Sequence, residues 1–199
     1  SVQKILLFTV TTPFYVSMIS QMLNREFKLF TFFIVFVSVI GGLIIRMTSF
    51  NVADLTALLL VQLANICFAS GQILYRELKK NDKHSINVFT DFAFFFIGAS
   101  IITFLGLVVS PYSYSSPESF EQWLLILWLG MGASGIGYYM WNYGSTKVKV
   151  ETLATMNNLV IPLGLVVDII FFGGRYDFQA LLIGTLIIFS SIAASLKNG

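Results

Sequence analysis

The chain has 199 residues, of which 56% are hydrophobic and only 11% charged, and its net charge is +2. Soluble domains carry about 25% charged residues, so this chain has too little charge to cover a water-soluble surface. The small net charge and the absence of a long basic run argue against nucleic acid as a partner. One cysteine, Cys67, and one histidine, His84 among loop lysines, predict neither a disulfide scaffold nor a metal site. No cofactor is expected.

Seven stretches have the length of about 20 mostly apolar residues that a helix needs to cross a bilayer. In chain order they are Lys4–Leu23, Leu29–Met47, Leu55–Tyr75, Ile86–Val109, Gln122–Gly144, Thr152–Phe172 and Phe178–Leu196. The connections between them are short and leave no room for a soluble domain. The sequence therefore predicts an all-α integral membrane protein with seven transmembrane helices.

The distribution of Lys and Arg predicts the orientation, since cytoplasmic loops carry an excess of these residues. Nine of the twelve fall on one side of the predicted spans: Arg25, Lys28, Arg76, Lys79, Lys80, Lys83, Lys147, Lys149 and Lys197. This side includes the C-terminus, which is therefore predicted to be cytoplasmic. The first residue would then lie outside without a visible signal peptide, and we expect a chain that is truncated at its front.

Two prolines suggest an internal repeat. Pro13 lies in the middle of the first predicted span and Pro162 in the middle of the sixth. A charged turn follows each proline at the same distance along the chain, at Glu26 and at Arg175. Copies five spans apart have opposite orientations, as in the inverted repeats of many transporters. The pattern predicts a truncated form of a ten-helix, 5+5 fold. Residues 1–47 would be the last two helices of the first repeat, and residues 53–197 the complete second repeat.

Several segments resemble the EamA family of the drug/metabolite transporter superfamily. Residues Thr12–Ile45 resemble its fourth and fifth helices, with the mid-helix proline, an Arg-Glu turn and a closing helix that contains glycines. Trp141–Ser195, which begins WNYGSTKVKVETLATMNNLVIP, resembles its last two helices, and Leu60–Leu78 its sixth helix. The chain departs from the family where Gly173-Gly174-Arg175 replaces a turn that usually carries Glu.

This resemblance implies a carrier, by alternating access or facilitated exchange, and not an enzyme. The expected substrates are small metabolites such as amino acids or related polar solutes, and the expected location is a bacterial inner (plasma) membrane. The expected partners are the substrate and the lipid bilayer, with protons as a candidate coupling ion and a homodimer as a candidate assembly. The alternative is a seven-helix receptor or sensor, although the last predicted span lacks the lysine that a retinal pigment would need.

Polar residues inside the spans are the candidates for a substrate pathway, because a polar group in hydrocarbon is costly unless it is paired or lines a wet cavity. These are Gln62, Asn65, Gln72, Asp91, Tyr138, Trp141, Asn142, Asn157, Asn158 and Asp168, and the two prolines mark candidate helix breaks. Hydrogen bonding between helices would explain any single amide equally well.

The two carboxylates within the spans have alternative interpretations. Asp91 could take up a proton or bind an amine, or it could reach Lys83 or Lys147 at the inner surface. Asp168 could face the pathway or pair with Arg175. The glycines of the segment LGMGASGIG in the fifth span predict either a close helix contact or a hinge.

Overall fold

The structure, a computed structural model, describes residues 8–45, 55–81, 88–111 and 115–197. No strand occurs within these ranges. The helices are α1 (Thr12–Asn24), α2 (Leu29–Ile45), α3 (Leu55–Asn81), α4 (Val88–Val109), α5 (Phe120–Leu127), a π-helix (Trp128–Gly137), α6 (Tyr138–Ser145), α7 (Val150–Asn157), α8 (Val160–Phe172) and α9 (Phe178–Lys197).

Five helical stretches in the described part of the chain are long and apolar enough to cross a membrane, which confirms the all-helical membrane class. They are Leu55–Lys80, Phe89–Val109, Phe120–Ser145, Val150–Phe172 and Phe178–Lys197. The first two predicted spans correspond to α1 and α2, which have 13 and 17 residues. Both are shorter than the length of about 20 residues that a span needs. Residues 4–7 and Met47 lie outside the described ranges, so the count of seven spans stays a prediction.

The fifth predicted span is not one regular α-helix. It begins at Phe120, where the Ser119 hydroxyl accepts a hydrogen bond from the backbone N–H of Gln122 in a capping box. After Leu127 the chain forms ten residues of π-helix that contain all four glycines of LGMGASGIG. A Cβ at Gly130 would meet no heavy atom within 4 Å, and one at Gly132 would meet the ring of Trp128 in the same helix. Neither of these two positions has a second described helix among its nearest atoms, and the choice between a close helix contact and a hinge stays a prediction.

The chain divides into two compact units, Ser1–Glu77 with Val148–Gly199 and Leu78–Lys147. In the first unit, α2 and α9 pack along each other. Gly41 and Gly184 face one another at their crossing, where a Cβ on Gly41 would lie 2.8 Å from the Gly184 carbonyl oxygen. Small residues allow such close backbone approach in membrane proteins.

The core of the first unit lies beside this crossing. It consists of the buried side chains of Val10, Val39, Ile161 and Leu165. Gly42 lies between two of them, since a Cβ at this position would meet both Val10 and Ile161. The segments around the two prolines therefore pack together over α2.

The second unit contains an aromatic cluster on α4 and α6. The buried ring of Phe92 makes edge contacts with Tyr138 and Tyr139, and Phe89 stacks on Tyr139 with ring centroids 5.2 Å apart. Most other side chains of α4 are apolar and exposed. Such a surface is suited to lipid, because lipid tails are as apolar as the side chains themselves.

Candidate functional site

The first interrupted helix lies just before Pro13. Phe8 and Thr9 are helical, Val10 and Thr11 form a turn, and α1 follows. Proline has no N–H, so the Thr9 carbonyl loses the donor that an α-helix would supply. The Thr12 hydroxyl donates to that carbonyl instead, at 2.7 Å.

Amides of α3 stabilise this interruption. The Gln62 and Asn65 side-chain nitrogens donate to the Phe8 carbonyl at 2.8 and 2.9 Å. The Gln62 oxygen accepts from the hydroxyls of Thr11 and Tyr15 at 2.7 and 3.0 Å. We call these five residues the first-break cluster. Its short hydrogen bonds occupy both ends of the Gln62 amide.

The second interruption is the turn at Asn158 and Leu159 between α7 and α8, just before Pro162. Here the buried amides of Gln72 and Asn157 donate to each other at 3.4 Å, which is long for a hydrogen bond. Asn157 also donates to the Leu153 carbonyl at 3.0 Å. The Asn158 nitrogen lies 3.0 Å from the Ser38 hydroxyl. We call Ser38, Gln72, Asn157 and Asn158 the second-break cluster.

The second-break cluster is less completely hydrogen-bonded than the first. Asn158 has no solvent exposure, and its side-chain oxygen has no hydrogen-bond partner among the described residues. Gln72 is also fully buried, and within the described ranges its side chain bonds only through the long pair with Asn157. A buried polar atom without a partner costs about 1–3 kcal/mol, so these two amides are poorly paired for their depth.

One helix supplies amides to both interruptions. Gln62, Asn65 and Gln72 lie on one face of α3, with the fully buried Ala69 between them. Gln62 and Gln72 are separated by about 15 Å along the helix axis. The arrangement places hydrogen-bonding groups at two levels of the first unit.

In the second unit, Asp91 pairs with a lysine that differs from the two suggested by the sequence. The Lys79 ammonium lies 2.6 Å from the Asp91 carboxylate, and the two side chains are 18% and 17% exposed. Lys79 is in the last turn of α3 and Asp91 in the first turn of α4, so each charge also interacts favourably with its helix dipole. Lys83 lies outside the described residues, and Lys147 lies over the ring of Tyr143.

The other predicted residues of the second unit lie on α6. The Asn142 amide donates to the Tyr138 carbonyl of its own helix at 2.9 Å, and Asn142 is buried. The Trp141 indole nitrogen is buried and has no hydrogen-bond partner within the described ranges. The predicted residues thus belong to both units, and a single shared cavity stays a prediction.

Asp168 lies near the end of α8, in the first unit. Its carboxylate accepts a hydrogen bond from the hydroxyl of Tyr176, and its backbone carbonyl accepts from the Gly174 amide at 3.1 Å. The sequence suggested Arg175 as the partner, and Arg175 is exposed. Tyr176 was missed because aromatic residues near the membrane interface are expected there without any specific contact.

The structure also adds Ser38, Thr11 and Tyr15 to the sequence-predicted residues. Each contacts a predicted amide through its hydroxyl group. Hydroxyl-bearing residues are common in membrane helices because they also bond to their own backbone. Their spacing in the sequence therefore gave no signal for these long-range contacts.

Comparison with known proteins identifies relatives over nearly the whole chain. The chain is 34% identical over 192 residues to a probable biotin transporter of Pseudomonas aeruginosa and 35% identical over 193 residues to the biotin transporter of Escherichia coli K12. The biotin transporter of Salmonella typhimurium is also 35% identical. Each alignment covers 96% of this chain but only 67%, 64% and 64% of the respective relative. The chain thus spans about two thirds of their length. No solved structure matches it.

A family match agrees with these relatives, which are named as transporters and not as enzymes. The EamA-like transporter family matches residues 55–196, from α3 to the end of α9. The apolar helices of that region are long enough to cross a membrane several times. The chain is a multi-pass integral membrane protein and belongs to the EamA-like transporter family.

Proposed function

We propose that the protein carries a small metabolite across a bacterial inner membrane, and that this metabolite is biotin or a close analogue. The observation that carries the proposal is the similarity to three proteins named as biotin transporters or probable biotin transporters, over 96% of the chain. The expectation of an amino acid substrate has no support from these relatives. The receptor alternative is not favoured by relatives that are named as transporters.

The chemistry of the second-break cluster supports this substrate. Biotin carries a cyclic urea, which has two N–H donors flanking one carbonyl acceptor. Gln72, Asn157 and Asn158 offer neutral amide donors and acceptors that their protein contacts do not use fully. Neutral amides suit a neutral urea because they bind it without the cost of burying a charge.

We also propose the inverted repeat as the architecture of the carrier, with residues 1–47 and 53–197 as its two parts. Support comes from the helices that follow the two interruptions, α1 and α8, which both have 13 residues. Each ends at a left-handed residue, Arg25 with φ 51° and Gly173 with φ 67°, and each leads into a closing helix. The two closing helices, α2 and α9, pack on each other. The family match over residues 55–196 fits the second part.

The proposed orientation places the C-terminus and the turn after α1 in the cytoplasm. Lys28 in this turn lies 3.0 Å from the Glu26 carboxylate, and this hydrogen bond raises the pKa of the Lys28 ammonium above its ordinary value. A lysine is charged at neutral pH with or without this bond, so the proposed orientation rests on the nine lysines and arginines on this side of the predicted spans.

Protons are the proposed coupling ion, with Asp91 as the residue that binds them. An ionisable residue within an apolar span is a functional candidate by default. Protonation of Asp91 would remove its charge from the ion pair with Lys79 and so weaken the contact between these two side chains. A homodimer stays a prediction.

A growth experiment tests the substrate. We expect expression of the full-length carrier, with any helices that precede residue 1, to restore growth, at low external biotin, of a bacterial strain that lacks biotin synthesis and high-affinity biotin import. Growth at high biotin without the chain is the control for viability. Failure to restore growth, when the protein is detected in the membrane fraction, would contradict the proposed substrate.

A further inference from the structure

We propose that the second-break cluster binds the N–H edge of the substrate's cyclic urea, while the first-break cluster serves only to hold the interrupted helix. This inference rests on the proposed function and assigns its substrate contact to one of two related places in the fold. The contrast between the two clusters carries it.

The central amide of the first-break cluster is held at both its nitrogen and its oxygen by short hydrogen bonds. Gln62 donates to Phe8 and accepts from Thr11 and Tyr15, all at 3.0 Å or less. Asn65 adds a second donor to the Phe8 carbonyl. A ligand that bound here would have to break short, well-formed hydrogen bonds. The first-break cluster is therefore a structural support for α1.

The second-break cluster has the opposite property. Asn158 is fully buried and one atom of its amide has no partner in the described part of the chain. Rotation of this amide by 180° would exchange the unpaired oxygen for an unpaired nitrogen, because the Ser38 hydroxyl can either accept or donate. An unsatisfied amide atom therefore remains in either orientation.

The neighbouring pair supplies further capacity. Gln72 and Asn157 bond to each other only at 3.4 Å, so a ligand would exchange these weak bonds for shorter ones at little cost. Gln72 has no solvent exposure, and no charged residue belongs to the cluster. The ligand group that fits is neutral and planar, with N–H donors next to a carbonyl acceptor, as in a cyclic urea.

The position of the cluster agrees with this assignment. It lies at the turn between α7 and α8, where the helix is interrupted before Pro162. In carriers built from inverted repeats, interrupted helices mark substrate sites, because they free hydrogen-bonding groups at membrane depth. Here the interruption also brings in Ser38 from α2 and Gln72 from α3.

The test compares uptake of labelled biotin with competition by biotin that is methylated on both urea nitrogens. With the full-length wild-type carrier in proteoliposomes, we expect the methylated compound to compete at least about tenfold more weakly, because buried acceptors reject an analogue that lacks the donor. In Asn158→Leu, the KM for biotin should rise about 3–10-fold, as expected for one lost hydrogen bond. The preference for biotin over the methylated compound should fall towards one.

Gln72→Met, which keeps the side-chain volume, is the second variant and decides the matter if Asn158→Leu does not fold. Asn65→Leu is the matched control, since it removes an amide from the same face of α3 but at the first-break cluster. We expect Asn65→Leu to lower the melting temperature and to keep the preference for unmethylated biotin. Preference that is unchanged in folded Asn158→Leu and Gln72→Met would overturn the assignment.

Two further outcomes separate this inference from the proposed function. Wild-type uptake of biotin with equal competition by the methylated compound would overturn the urea contact alone. Absence of any biotin uptake by folded wild-type protein would overturn the proposed function, and the inference with it.

Discussion

Among single residues, Asp91 takes part in an ion pair whose contribution to stability can be measured separately from transport. Its carboxylate and the Lys79 ammonium are both less than one fifth exposed and lie 2.6 Å apart. The pair is neither fully exposed nor fully buried. We therefore expect its loss to cost about 1–3 kcal/mol, which lies between the costs for exposed and for buried ion pairs. Asp91 in its charged form therefore contributes to stability through this pair, in addition to any role in proton binding during transport.

The pH dependence of uptake distinguishes the two roles. For a proton-coupled carrier, wild-type uptake should rise as the external pH falls, and Asp91→Asn should remove this rise. Asp168→Asn is the control, because Asp168 is also a carboxylate within a span but is bonded to Tyr176. Initial uptake rates between about pH 5 and 8 measure the effect. A pH profile of Asp91→Asn that matches the wild type would limit Asp91 to the ion pair.

At the scale of helices, the crossing of α2 and α9 depends on two glycines. A Cβ on Gly184 would overlap the Gly41 carbonyl oxygen and the side chain of Ile45, and backbone atoms cannot move away as flexible side chains do. We expect Gly184→Ala to destabilise the protein by about 1–3 kcal/mol, the usual cost of overpacking. Thermal unfolding in detergent measures this change.

Gly98→Ala is the matched control for this prediction. Gly98 lies inside α4, where a Cβ would meet no heavy atom within 4 Å. Alanine favours a helix over glycine by about 1 kcal/mol, so this variant should be as stable as the wild type or slightly more so. Equal melting temperatures for Gly184→Ala and the wild type would show that the crossing does not need glycine.

The sequence predicted helices better than it predicted their interruptions and partners. Hydropathy located the helices because each needs about 20 apolar residues, and Pro13 and Pro162 lie close to the two turns. The π-helix at Trp128–Gly137 was not predicted, because the pattern of polar residues was interpreted with α-helical spacing alone.

The candidate site was predictable as residue types but not as contacts. Buried amides such as Gln72 and Asn158 stand out in an apolar span because they are rare there. Gln62 is better hydrogen-bonded than these amides because it accepts from Thr11 and Tyr15, which are distant from it in sequence. Asn158 likewise contacts Ser38, which is 120 residues away. No local pattern contains that information.

At the scale of the whole molecule, the chain combines membership of a transporter family with two interrupted helices at which buried amides lie. The family and the membrane-spanning character follow from the comparisons and the apolar helices. The step to biotin as the transported solute is the central claim. It requires movement of solute across a sealed bilayer, which growth in cells measures only indirectly.

Uptake of labelled biotin into proteoliposomes that contain the purified full-length carrier, with any helices that precede residue 1, tests this claim most directly. We expect saturable uptake that is inhibited by excess unlabelled biotin and is not inhibited by an equal excess of an amino acid such as leucine. Uptake by correctly folded protein that is no greater than that of protein-free liposomes would contradict it.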